Sequence, residues 1–319
     1  MNSETLIEVE HLSRYYGDDC AVNDISFSVN RGEVLGFLGP NGAGKSTTMQ
    51  IICGVLAASQ GTVRIAGDDI SDAPRSAKQH IGFLPETPPL YFDLTVDEYL
   101  RYCGRLHAIS KSKLDDALNN TKQRCGLAES GKRLIANLSK GYQQRVGIAQ
   151  AIIHSPDVVI LDEPTSGLDP NQIVEIRQLI CELSDDHSVL LSTHILPEVQ
   201  SSCDRVLIIN RGQLVLDENM QTLQNDSEQS CCHIALKNPP LPEELENITG
   251  VLAVNAVDKQ RFKITYTSHM NTPEELVKSA TANSWQLYEL IPEHSSLEQV
   301  FMRLTRDEPG MSPEAREAV

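Results

Sequence analysis

The chain has no run near the roughly 18 uninterrupted apolar residues that a membrane-spanning helix needs. Met1 to Glu10 lack a basic segment followed by an apolar stretch, so no secretory signal is expected there. Basic residues are scarce, 27 Lys and Arg against 44 Asp and Glu in 319 residues, and the formal net charge is −17. That deficit argues against a nucleic-acid partner, whose binding draws on cations that neutralise phosphates. It leaves room for a nucleotide pocket, because backbone amides at a helix start bind phosphate without a basic patch. The eight cysteines (Cys20, Cys53, Cys103, Cys125, Cys181, Cys203, Cys231 and Cys232) form no CxxC pair and no zinc-ligand spacing. They read as reduced, mostly buried thiols, the adjacent Cys231 and Cys232 fitting least well. Repeats and low-complexity tracts are missing too. The expected location is the cytoplasm, with membrane association made through a partner.

What is present is an alternation of short β-rich runs and amphipathic segments up to about residue 225. Residues 6–9, 25–29, 34–38, 62–65, 80–84, 158–161, 188–192 and 206–210 read as strands, and 45–55 and 143–154 as helices. This is an α/β pattern, and 40% hydrophobic residues suffice for a core in each of two domains. The polar stretch Gln224 to Ser230 reads as a linker. Beyond it, strands are expected at 233–236, 251–257, 261–267 and 285–290, with helices at 273–282 and 296–305, which makes a small α+β domain. The charged tail from Arg306 to Val319 is expected to be mobile.

Chemistry concentrates in the first part. Gly39-Pro40-Asn41-Gly42-Ala43-Gly44-Lys45-Ser46-Thr47 fits GxxxxGK[ST] and lies between a strand and a helix, as a phosphate-binding loop must. The glycines let successive N–H groups turn inward, and the helix adds its positive end. Lys45 brings a full charge to the β and γ phosphates, and the Ser46 hydroxyl is placed to ligate Mg²⁺. The apolar strand Val158-Val159-Ile160-Leu161 ends in Asp162 and Glu163, at the strand end where parallel sheets bind ligands. Asp162 is suited to hold Mg²⁺ and Glu163 to accept a proton from attacking water. Leu138-Ser139-Lys140-Gly141-Tyr142-Gln143 precedes a helix, where Ser139 and nearby amides can face a phosphate. Ser166-Gly167-Leu168-Asp169-Pro170 follows the carboxylates, with Asp169 suited to cap the next helix. His194 follows the run 188–193 and is placed to contact a γ-phosphate.

In order and content these motifs resemble those of ABC (ATP-binding cassette) ATPases over about residues 5 to 225. The resemblance implies an α/β, P-loop ATPase domain at 1–228, with a mixed-sheet core, an antiparallel β subdomain and a helical subdomain. A small α+β accessory domain at 229–307 and a flexible tail at 308–319 follow. It makes Tyr16 the aromatic that stacks on adenine, Gly39 to Thr47 the Walker A loop, and Asp162 and Glu163 the Walker B pair. Ser139 to Gln143 become the signature, Ser166 to Asp169 the D-loop, His194 the switch histidine, and Glu86 a contact to Mg²⁺ or its waters. It implies ATP and Mg²⁺ as cofactors. The implied partners are a second copy, with two ATP molecules clasped head to tail between Walker A and signature, and an integral membrane permease.

Two positions depart from the family pattern. Lys140 and Tyr142 replace Gly and Gln in the signature, and Glu86 in Phe83-Leu84-Pro85-Glu86 replaces Gln. Both variants resemble an exporter branch that includes gliding-motility, sodium-efflux and multidrug ATPases. Tyr91 to Thr95 are expected to contribute to the surface that receives a permease helix. The competing classes are a soluble non-transport ABC ATPase, opposed by the charge and by the single cassette, and a nucleotide-dependent regulator, opposed by Glu163.

Overall fold

The computed structural model describes residues 4–225, 229–267, 271–293 and 301. The chain divides into two compact units, Met1–Asn219 and Met220–Val319.

The first unit opens with a hairpin of β1 (Thr5–Tyr16) and β2 (Asp19–Asn30), and β3 (Val34–Leu38) then enters a second sheet. After α1 (Lys45–Ile52), β4 (Gln60–Ile65) and the short β5 (Asp68–Asp69) complete an antiparallel sheet of order β2-β1-β4-β5. α2 (Pro74–Gln79) leads to β6 (Ile81–Leu84), and a helical segment follows: α3 (Val96–Leu106), α4 (Lys111–Arg124) and α5 (Lys140–Ile152). The chain returns through β7 (Val158–Asp162), α6 (Pro170–Leu183), β8 (Ser188–Thr193), α7 (Leu196–Ser202), β9 (Arg205–Asn210) and β10 (Gln213–Asn219). The second sheet has the order β10-β9-β3-β8-β7-β6, parallel except where β10 pairs antiparallel with β9.

Burial explains the continuous apolar runs. Every residue of β3, β7 and β8 is buried, as expected for strands covered on both faces. Along β7 the side chains alternate between two cores. Val158 and Ile160 join a core with the antiparallel sheet and α1, whereas Val159 and Leu161 join one with α3, α5 and α6. Helix α3 starts at a capping box, Thr95 accepting from Glu98 N while the Glu98 carboxylate accepts from Thr95 N. Its buried residues Val96, Tyr99, Leu100 and Cys103 recur at helical spacing. All the sheet strands that carry chemistry therefore end at one edge of a doubly covered sheet.

The second unit contains α8 (Met220–Asn225), β11 (Gln229–Leu236), α9 (Pro242–Glu246), β12 (Val251–Ala256), β13 (Arg261–Thr267), α10 (Thr272–Ala282) and β14 (Leu287–Glu293). Its antiparallel sheet has the order β12-β13-β11-β14. Ile234, Phe262, Ile264, Tyr266, Leu276 and Trp285, the chain's single tryptophan at 8% exposure, belong to its own core.

Several expectations shift. β1 and β2 run 12 residues each, because register shifts absorb irregularities without ending the pairing. β5 and β10, short or half-polar edge strands, carry too little hydrophobic pattern to be read from sequence. The unit boundary falls after Asn219, ahead of the expected 228, and the supposed linker 224–230 holds the end of α8 and the start of β11. Helices 45–55 and 143–154 are observed as Lys45–Ile52 and Lys140–Ile152, and the strand expected at 285–290 as Leu287–Glu293. The expected helix 296–305, save Phe301, and the tail lie outside the described residues. Cys53, Cys103, Cys125 and Cys232 are buried, but Cys20 and Cys181 are exposed. Burial pushes the Cys103 thiol up to about 11 and that of Cys125 up to about 12. Among the described residues no helix is long and apolar enough to cross a membrane.

Candidate nucleotide-binding site

The loop between β3 and α1 has its shape dictated by two glycines. Gly44 precedes α1 at φ 108°, and a Cβ there would lie 2.5 Å from the Ala21 carbonyl oxygen. A Cβ on Gly39 would lie 2.5 Å from the Ile209 carbonyl oxygen, and Gly39 N donates to Thr193 O at 3.3 Å. The backbone is thus pressed against β2 and β9 where a side chain cannot fit. Lys45, 5% exposed, donates to Gly39 O at 2.9 Å and Pro40 O at 3.2 Å, so its ammonium curls back over the loop.

Two strands, β7 and β8, deliver the acidic and imidazole groups. Asp162 closes β7, and its Oδ1 accepts from Ser46 at 3.2 Å and from Ser192 of β8 at 2.5 Å. Glu163, 6% exposed, holds φ 49°, a left-handed conformation that costs a non-glycine residue about 1 kcal/mol or more. That turn aims its carboxylate back to Lys45 and His194. His194 Nδ1 lies 2.8 Å from Glu163 Oε2, and Lys45 Nζ lies 3.2 Å from Oε1. The second contact is at ion-pair distance but outside hydrogen-bond geometry, so the buried Oε1 accepts no hydrogen bond within the protein.

A cavity of about 460 Å³ opens over this cluster. It is lined by Asn41, Gly42, Gly44, Lys45, Ser46 and Thr47 from the loop, by Ala21, and by Glu86, Glu163, Ser166 and His194. Gly39, Pro40 and Ala43 stand behind it as scaffold. The Lys45 ammonium lines this cavity together with hydroxyl and carboxylate oxygens. Among the described residues no three carboxylate, imidazole or thiolate groups converge on one point. Few protein ligands, all hard oxygens, fit Mg²⁺, which keeps water and substrate phosphate oxygens in its shell.

Other sequence-assigned residues lie elsewhere. Tyr16, half exposed at the end of β1, is not in the cavity wall, and the Arg14 guanidinium sits 4.7 Å from its ring centroid. Ser139 caps α5, its Oγ accepting from Tyr142 N, and Gln143 donates to the carbonyls of Ile135 and Leu138. None of residues 139–143 lines the 460 Å³ cavity. Lys140 and Gln143 instead line a neighbouring one of about 230 Å³, which shares Glu86 and Ser166. Gly141 packs against Gln172, and Asp169 caps α6 by accepting from Gln172 N at 3.0 Å. Ser166 lines the cavity from the segment read as the D-loop, whereas Ala21 and Ser192 escaped the sequence assignment of site residues. A serine ending a buried strand carries no local signal, and Ser192 meets Asp162 only through the pairing of β7 with β8.

Comparison with known proteins agrees with this architecture. A family model described as ABC transporter matches residues 22–166. The ABC transporter ATP-binding protein YdbJ of Bacillus subtilis is 33% identical over 305 residues, covering 95% of this chain and 96% of that protein. The Nod factor export ATP-binding protein I of Sinorhizobium fredii is 32% identical, covering 95% and 87%. A solved ATP-binding subunit of an ABC transporter superposes with a TM-score of 0.63 at 33% identity, over 69% of this chain and 92% of that one. cbiO1 from Clostridium perfringens, part of the complex cbiONQ, gives 0.64 at 28%, over 70% and 92%. The chain belongs to the ABC transporter family as an ATP-binding subunit, the part that hydrolyses ATP to drive transport. Subunits of this kind work with a membrane permease.

Proposed function

We propose that the chain energises export through a separate permease, hydrolysing ATP at two sites shared by two copies arranged head to tail. One observation carries the shared-site reading: Ser139, Lys140 and Tyr142 are exposed at the start of α5, yet no signature residue lines the cavity of its own chain. A second copy would bring its Ser139 and the adjacent amides of α5 to the γ-phosphate. The export reading is supported by what similar proteins are named for, among them Nod factor export and, in Escherichia coli, probable multidrug transport. The protein then works at the inner face of the cell membrane, held there by its permease. The exposed Tyr91 and Phe92 contribute to the contact.

In this reading the loop amides, the α1 N-terminus and Lys45 hold the β and γ phosphates. Ser46, Asp162 and Glu86 would hold Mg²⁺ with Thr47 beside them, and such an ion would supply charge neutralisation for the phosphates. Tyr16 stacks on adenine, and Asp169 keeps the D-loop in register with α6. Glu163 Oε1, buried and accepting no hydrogen bond, takes the proton of the attacking water, while His194 fixes the other oxygen. Glu163→Gln should bind ATP, accumulate as a dimer and lose turnover by about 100-fold or more. Light scattering after gel filtration with Mg-ATP, together with a phosphate-release assay, checks this. A monomer with ATP bound sinks the shared site, and wild-type turnover removes Glu163 as the base. Export itself is tested by recovering the same variant from gently solubilised membranes: a polytopic membrane protein in near-equal amount supports it, ribosomes or nucleoid proteins refute it.

A further inference from the structure

Glu198, in the first turn of α7, is 1% exposed and lines neither cavity around the loop. Its two oxygens are divided between two segments that do. Thr165 Oγ1 donates to Glu198 Oε1, and Thr193 Oγ1 donates to Oε2 at 2.6 Å. Thr193 Oγ1 also accepts from Ile195 N at 3.0 Å, which bends the chain just after His194. Thr165 stands two residues after Glu163, and Thr193 immediately precedes His194; both threonines are buried. Arg177 of α6 adds a cation, its Nη2 3.7 Å from Glu198 Oε1.

A carboxylate this deeply buried carries a heavy desolvation cost, and an apolar side chain of similar size would satisfy packing better. What an apolar residue cannot do is hold two hydroxyls at a set separation. We propose that Glu198 is a positioning residue for hydrolysis: one carboxylate ties the segment after Glu163 to the segment before His194. The 2.8 Å contact between Glu163 and His194 is thereby set from behind. This rests on the assignment of Glu163 and His194 above. Nucleotide binding depends on the loop and Lys45, which Glu198 does not touch, so the effect falls on turnover.

Three near-isosteric variants of the full chain test it: Glu198→Gln, Thr165→Val and Thr193→Val, beside a Glu163→Gln control. Glu198→Gln should lower kcat about 10- to 100-fold, the scale of a misplaced catalytic group, with ADP affinity within about threefold of wild type. Each valine variant should lower kcat in the same direction. Their double variant should lose less than the product of the two single effects, because both act through one carboxylate. If the glutamine variant folds poorly, Thr165→Val reads the same coupling with Glu198 and Arg177 left in place. Wild-type kcat in these variants beside an inactive Glu163→Gln overturns this proposal alone. Parallel loss of kcat, ADP affinity and melting temperature makes the cluster a packing element and overturns it as well. A control that still turns over ATP removes the base, and this proposal with it.

Discussion

Gly44 shows how a single residue constrains the site. Its φ of 108° and the Ala21 carbonyl 2.5 Å from any Cβ are backbone conflicts, so no rotamer change relieves them. Gly44→Ala is therefore expected to cost about 1–3 kcal/mol of stability. It should also weaken ATP binding about 10-fold or more as the loop amides turn away, on the scale of one lost charge-assisted hydrogen bond. Thermal melts and nucleotide titration read the two effects separately. The loop was legible because its residues are consecutive, and their spacing is itself the mechanism. Ser192 and Glu198 were not legible. Ser46 reaches Asp162 across 116 residues and Ser192 reaches it across 30, distances over which sequence spacing says nothing about contact. A glutamate four residues after His194 reads as an ordinary exposed helix position until α7 is seen packed against Gly36 of β3.

At the level of elements, α3 and α5 meet where each ends. His107, the C-cap of α3, stacks on His154, just past α5, with ring centroids 3.7 Å apart and planes 10° from parallel. Burial first, then the neighbouring His107, lowers the His154 pKa to about 4, and burial lowers that of His107. Above pH about 6.5 both rings are neutral folded or unfolded, and the stack is fully available. As pH falls from about 6.5 towards 4, the unfolded chain takes up a proton at His154 that the folded chain does not, so stability declines. The melting temperature of wild type should drop between pH 7 and pH 5 more steeply than that of His154→Gln; equal slopes would assign the pH response to other groups. Elements with a continuous apolar run, such as β7 and the second half of α5, were readable, since burial on all sides imprints the sequence directly. Short edge strands left no such imprint.

For the whole molecule, each hydrophobic core draws on one unit alone: two on residues before Asn219 and the third on residues from Cys232 onward. All the cavity-lining residues belong to the first unit. A chain of residues 1–219 should therefore fold and bind ATP with an affinity within about threefold of the full chain, since cores that share no residues contribute independently. Calorimetry with nucleotide checks this, and an insoluble or non-binding fragment would show that the second unit completes the first. The α/β to α+β succession was readable from the order of elements, but the exact seam was not, because polar residues at 224–230 continue regular structure as readily as they interrupt it.

Trp285, packed inside the C-terminal unit, also makes this chain spectroscopically lopsided. Excited at the red edge, where tyrosine is silent, its emission reports on a module that contains none of the hydrolysis chemistry. Helical circular dichroism comes mainly from the ATPase unit, which holds most of the described helix. A denaturation curve followed in both signals thus reads the two units separately without a label. An emission change on adding Mg-ATP would mean that nucleotide at the loop is felt by the accessory module.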